Sequence, residues 1–191
     1  IEIEGGPIFS FGRCSTWGLP RIGDSDEEIV RLGRPKEAST TDHLRVFPEI
    51  RANGGGQRVN EYTLVMDALF TTPHGSNGWT SILNLDGTNS ELLNFWLRGD
   101  PSYDGSAKHL LSCGFKATER NAAPSNTWLR IAFRVQVRNR RLRQDIFLDG
   151  VKVGLDTVDC VPLDGRGSLP AASRRTPYFA LWGNPYPQSN C

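Results

Sequence analysis

Four arginines crowd into six residues at Arg138-Asn139-Arg140-Arg141-Leu142-Arg143, the only dense charge run in the chain. A guanidinium pairs sulfate, phosphate or carboxylate through two parallel hydrogen bonds, so Arg138, Arg140, Arg141 and Arg143 are candidates for gripping an acidic glycan. The same run also suits a soluble hairpin tip that discourages strand-to-strand aggregation. Two further groups mix aromatic and polar side chains. Trp96 and Arg98 alternate on one side of Phe95-Trp96-Leu97-Arg98-Gly99, with Asp100 at its mouth, and Trp182, Asn184 and Tyr186 cluster downstream. An aromatic platform under the apolar face of a sugar ring, with planar polar groups aimed at its hydroxyls, is what carbohydrate binding requires. Core packing is the commoner role for a single tryptophan and is the competing reading of Trp96 and Trp182, with Arg98 then a solvated edge charge; Trp79 and Trp128 are read as packing residues.

Catalytic patterns are sparser. A glycoside hydrolase needs two carboxylates on one face of a strand, one as acid and the other as nucleophile or base, and no Glu-x-Asp-x-x-Glu run supplies them. Asp145 and Asp149 are the closely spaced acids of a strong strand region, and Asp149 is absorbed by an Asp149-Gly150 turn. Gly-x-Ser-x-Gly, phosphate-loop and dinucleotide fingerprints are absent. A polysaccharide lyase acting on uronate polymers is the alternative enzyme. It needs Tyr or His for proton transfer, and Arg, Asn or Gln to neutralise the uronate carboxylate. Tyr178, Tyr186, Gln188, His43, Arg45 and Arg51 are the residues available for it.

Calcium is the one candidate cofactor, through Asp86, Asn89 and loop carbonyls, because hard cations take several converging oxygens. A tight turn at Asp86-Gly87 explains the same residues. Cys14, Cys113, Cys160 and Cys191 form no Cys-x-x-Cys pair, which disfavours a zinc site. They are read as two disulfides with all three pairings open, and the competing reading is four buried thiols. Disulfides imply an oxidising compartment, hence a secreted or cell-surface protein.

Strands must position these groups. Leu129, Ile131, Phe133, Val135 and Val137 alternate with polar or small residues, the period-two pattern of a strand with one buried and one wet face. Ile146 and Leu148 keep the apolar phase up to Asp149-Gly150, and Val151 and Val153 resume after it, which predicts a hairpin. From Tyr62 to Phe70 both faces carry apolar residues, so this strand is expected to lie centrally with cover on both sides. Residues 24–32 read as one short helical turn capped by Asp24 or Ser25 or, the favoured version, as an acidic loop entering an edge strand, and residues 162–177 as an irregular surface loop. About ten to thirteen short strands and almost no helix are expected.

The 191 residues fit one all-β domain over 1–191. Twenty-two basic residues against twenty-one acidic ones leave a net charge of +1, without the global field typical of nucleic-acid binders. No apolar run approaches the roughly 20 residues of a membrane helix. Residues 1–6 lack a signal-peptide pattern, so the chain is read as mature or as a piece of something larger.

Six stretches, at 42–46, 53–56, 59–67, 79–83, 126–133 and 164–169, together with Asp149-Gly150, resemble in type and order the laminin-G-like branch of the concanavalin A-like lectin and glucanase superfamily. The resemblance implies a jelly-roll β-sandwich of two antiparallel sheets, one bent into a concave face. That superfamily holds lectins, glycan-binding modules and enzymes alike, so the fold alone assigns no function. One departure is that the last strand runs into Trp182-Gly183-Asn184 rather than an acidic turn. The reading that follows is an extracellular carbohydrate-binding module without catalysis. The alternatives are the lyase and a structural domain that packs against neighbouring domains or copies of itself.

Overall fold

The structure is a computed structural model that describes residues 2–4, 9–32, 43–47, 49–70, 79–84, 95–99, 109–113, 116–117, 126–153, 161–165, 168–169, 171–172 and 179–181. Along these the chain forms β1 (Glu2–Glu4), β2 (Phe9–Arg13), a 3-10 turn at Cys14–Trp17, β3 (Glu28–Leu32), β4 (His43–Val46) and β5 (Tyr62–Leu69). It continues through β6 (Trp79–Asn84), β7 (Phe95–Gly99), β8 (His109–Cys113) and β9 (Lys116–Ala117). The last five strands are β10 (Trp128–Arg138), β11 (Arg141–Leu148), β12 (Val151–Val153), β13 (Val161–Pro162) and β14 (Phe179–Leu181). The described residues are all-β apart from the one 3-10 turn, and their strands pair antiparallel. The described strands number fourteen, slightly more than the sequence suggests, because two-residue pieces such as β9 and β13 carry no periodicity to read.

Seven strands pair in the order β1-β4-β14-β6-β7-β8-β9, and five form a second sheet, β12-β11-β10-β5 with β13 on β11. β2 and β3 make a separate ribbon. The second sheet is organised by β10. Its alternation places Ile131, Phe133 and Val135 inside, while Arg130 and Arg138 stay exposed. Register carries that layer sideways: Phe133 faces Ile146 on β11 and Leu64 on β5, and Ile131 faces Leu148 and Met66. Ile82 and Leu83 of β6 join the same buried cluster, and Val46 of β4 packs against it. Strands of both larger sheets therefore contribute to one core. Each fully buried side chain of this size stabilises the fold by about 1.5–3 kcal/mol.

The loop before β5 is fixed by a buried polar knot. Asn53 Oδ1 accepts the backbone N–H groups of Asn60 and Glu61, both at 2.8 Å, and Asn60 Nδ2 donates back to the Asn53 carbonyl at 3.1 Å. Asn60 Oδ1 accepts the Asp164 N–H at 2.9 Å and the Ser168 hydroxyl. The Asp164 carboxylate takes the N–H groups of Gln57 and Arg58 at 2.8 and 2.7 Å. Val59 and Leu169 exchange two backbone hydrogen bonds alongside. The stretch expected to be an irregular loop after residue 162 thus contributes, through Asp164, Ser168 and Leu169, to the anchoring of β5.

One expectation about β5 is corrected. Val65 is 55% exposed, and β5 ends the order of described strands in its sheet, so its outer face is wet. Val65 stands opposite Ala132 on that face. An isolated apolar residue among polar ones needs no cover. Two other readings hold. Residues 22–25 form a small bridged turn before β3, as a loop-then-strand reading requires. Asp149 and Gly150 take φ of 48° and 83°, the left-handed pair of a two-residue hairpin.

Candidate functional site

The hairpin of β10 and β11 turns over only Asn139 and Arg140, and this redraws the arginine run. Arg138 ends one strand and Arg141 begins the next, so Arg138, Arg141 and Arg143 lie on the sheet rather than in a loop. The reason is backbone chemistry. Asn139 and Arg140 adopt φ of 51° and 61°, the left-handed pair that closes a hairpin in two residues. For a residue with a Cβ this conformation costs about 1–2 kcal/mol. Arg138 and Arg141 are direct cross-strand partners, and like charges so placed repel. Neither the Arg138 nor the Arg140 side chain has an ion-pair or hydrogen-bond partner among the described residues.

Because apolar side chains of β10 and β11 fill the core, every second residue of the pair points outward. From the tip, the outer pairs are Arg138 with Arg141, Gln136 with Arg143, and Arg134 with Asp145. Asp145 is the hub of this face. Arg134 Nη2 donates to its Oδ2 at 2.7 Å, Lys152 Nζ of β12 lies 2.8 Å from Oδ1, and Arg143 Nε lies 3.7 Å away. The Lys152 contact is an ion pair set off the hydrogen-bonding direction, since Oδ1 has no well-directed donor among the described residues. The carboxylate keeps 3% of its exposure, whereas the Arg134, Arg143 and Lys152 side chains keep 38%, 29% and 38%. Burial pushes the Asp145 pKa up, but Lys152 and Arg134 outweigh it and hold the carboxyl below its ordinary value. The Arg134 guanidinium also lies over the Phe147 ring, 4.9 Å from its centroid.

A second ion pair sits farther from the tip. Arg130 grips Asp67 with two hydrogen bonds, Nε to Oδ1 at 2.9 Å and Nη2 to Oδ2 at 2.8 Å, which lowers the Asp67 pKa. Asp149 Oδ1 accepts the Arg130 backbone N–H at 2.9 Å, so this acid secures the turn.

The sequence did not single out Arg134 and Lys152, and Asp145 entered it only as a possible catalytic acid. The missing signal was register. Asn139-Arg140 lacks the Asn-Gly signature of a two-residue turn, so pairings across it were not readable. The aromatic groups fall differently. Trp96 of β7 is opposite Ser81 and Ser112, and Arg98 is opposite Trp79 and Leu110. Their side chains, with Asp100, Trp182, Asn184 and Tyr186, lie outside the described residues, as do Asp86 and Asn89. Cys14 is a buried free thiol, which corrects the expectation that all four cysteines pair into two disulfides: its sulfur packs in the interior as a small apolar group. Cys113 contributes its backbone to β8, and its side chain, Cys160 and Cys191 are outside the description. Among the lyase candidates, Arg45 lies in β4 between Glu2 and Ala180, and Arg51 is exposed. His43 opens β4 with its side chain outside the description, as are Tyr178 and Gln188. Among the described residues no group of three or more His, Cys, Asp or Glu converges as metal ligands. Comparison with protein-family models, curated proteins and solved structures found no match.

Proposed function

We propose that this chain is a carbohydrate-binding module of the secreted or cell-surface kind, a laminin-G-like jelly-roll sandwich that holds an acidic glycan without transforming it. The observation that carries the reading is the tip of β10 and β11, where Arg138 faces Arg141 across the ladder and Arg140 occupies a left-handed turn position. Repulsion and backbone strain coincide at one exposed point, and strain of this sort supports an inference toward function when it sits beside ligand chemistry. A sulfate or carboxylate at this exposed tip meets the guanidiniums of Arg138 and Arg140 and gains charge-assisted hydrogen bonds. Buried residues from two antiparallel sheets in a single core support the sandwich.

The test is binding to immobilised dextran sulfate, polygalacturonate and neutral dextran over a range of ionic strength. Retention by both acidic polymers, weakening steeply with salt and absent on neutral dextran, is the expected result. Equal retention on all three overturns the assignment of the tip. Accumulation of ultraviolet-absorbing unsaturated ends from polygalacturonate transfers the chain to the lyase class.

A further inference from the structure

We infer that the outer face of β10, β11 and β12 forms a linear track along which an extended acidic polysaccharide lies parallel to the strands, from the Arg138–Arg141 pair past Arg143 to Arg134 and Lys152. This rests on the acidic-glycan reading and deepens it. Outward residues recur every second position, so successive rows on the face are separated by about 6.8 Å. The three rows nearest the tip each carry at least one guanidinium, and Lys152 extends the series onto the neighbouring strand, where it pairs with Phe147. A flexible monoanion needs none of this length. A linear polymer with an anion on each repeat spans several rows at once.

Asp145 makes such a surface affordable without neutralising it. One carboxylate draws three cations together, and it lies recessed while their heads remain partly exposed. The surface a ligand meets is therefore cationic donors above a hidden counter-charge. Arg134 is held by Asp145 and by the face of Phe147, and its side chain stays 38% exposed. Ordering these heads before the ligand arrives lowers the entropy lost on binding. Gln136, opposite Arg143 in the middle row, offers an amide to sugar hydroxyls. Single-stranded nucleic acid is the poorer fit, because it is held by exposed aromatic platforms interleaved with charge. The aromatic ring described on this part of the face, Phe147, lies under Arg134.

The experiment measures affinity for dextran sulfate chains of increasing length, with an oligodeoxythymidine as the competing class. Compared are the wild type, R138A/R141A at the tip, Arg143→Gln and Lys152→Gln along the track, and Arg21→Gln on the N-terminal segment as control. Thermal melting of each variant monitors folding. Gln136→Glu is added because it places a negative charge in the middle row and removes none of the ion pairs. The track predicts affinity that rises with chain length, losses of about three- to fivefold for each track variant and for Gln136→Glu, and no change for Arg21→Gln. If R138A/R141A weakens binding while Arg143→Gln, Lys152→Gln and Gln136→Glu do not, the track is overturned and the anionic tip stands. Absence of polymer binding at low salt overturns both. Oligodeoxythymidine bound as tightly as dextran sulfate overturns the polysaccharide assignment.

Discussion

Asn60 and Asp164 hold each other reciprocally: the Asn60 carboxamide accepts the Asp164 backbone N–H at 2.9 Å and donates to its Oδ1 at 3.0 Å. They are 104 residues apart, and Asn60 is fully buried. The pair ties the entry of β5 to the segment after β13, so its loss exposes or orphans several donors at once. Asn60→Ala is expected to lower unfolding free energy by about 2–4 kcal/mol in urea titration. A loss under about 0.5 kcal/mol would mean that water replaces the knot without penalty.

Gly56 closes against the same knot. A Cβ built there would collide with Asp164 Oδ1 and lie 2.5 Å from Asn60 Nδ2, and both atoms are fixed by the network rather than free to swing aside. Gly55 differs, since its φ of 87° is left-handed but nothing lies within 4 Å of an added Cβ. Gly55→Ala should then cost about 1 kcal/mol from backbone strain, and Gly56→Ala about 2 kcal/mol or more from displaced hydrogen bonds. Denaturation midpoints of the two variants decide this, and the reverse order would sink it.

Acid sensitivity follows from two carboxylates. The N–H of Gln57, followed by Asn60 and Arg58, lowers the Asp164 pKa, and the cations around Asp145 lower its pKa against burial. A carboxyl with a folded pKa below its unfolded value adds stability that is complete above the unfolded value, near 3.9, and fades as pH falls through the folded one. Stability is therefore expected to be flat with respect to these groups from about pH 5 to 7, and to decline below about pH 4. Asp145→Asn should remove part of that decline, and should cost about 1–3 kcal/mol at neutral pH by removing the carboxylate that Arg134 and Lys152 contact. Urea titrations across this range read both effects. An unchanged acid limb in Asp145→Asn would remove Asp145 from the account.

Much of the second sheet was legible in the residues, because Ile131, Phe133 and Val135 alternate without interruption and Asp149-Gly150 announces its own turn. The ion cluster was not. Arg134, Asp145 and Lys152 come from three strands, and period-two reasoning assigns faces but not partners. Asn60 was hidden for a different reason: a buried amide looks like any loop asparagine until Asp164 and Ser168 arrive from a hundred residues away. Val65 escapes the pattern because apolar residues on both faces of a strand do not require cover on both faces, and a small valine beside Ala132 tolerates water.

The turn at Asn139 and Arg140 sets stability against binding. Asn-Gly is the sequence that such a turn favours, yet Arg140 holds the left-handed position at φ 61° with no partner among the described residues. Arg140→Gly removes the strain and one tip charge together. It should raise unfolding free energy by about 1 kcal/mol, which for a domain of this size is a rise of about 2–4 °C in Tm. Dextran sulfate affinity should fall about two- to fivefold in the same variant, with a shallower salt dependence. A variant that gains stability and keeps full affinity would show that Arg140 is a strained residue without a ligand, and the tip would then rest on Arg138 and Arg141 alone.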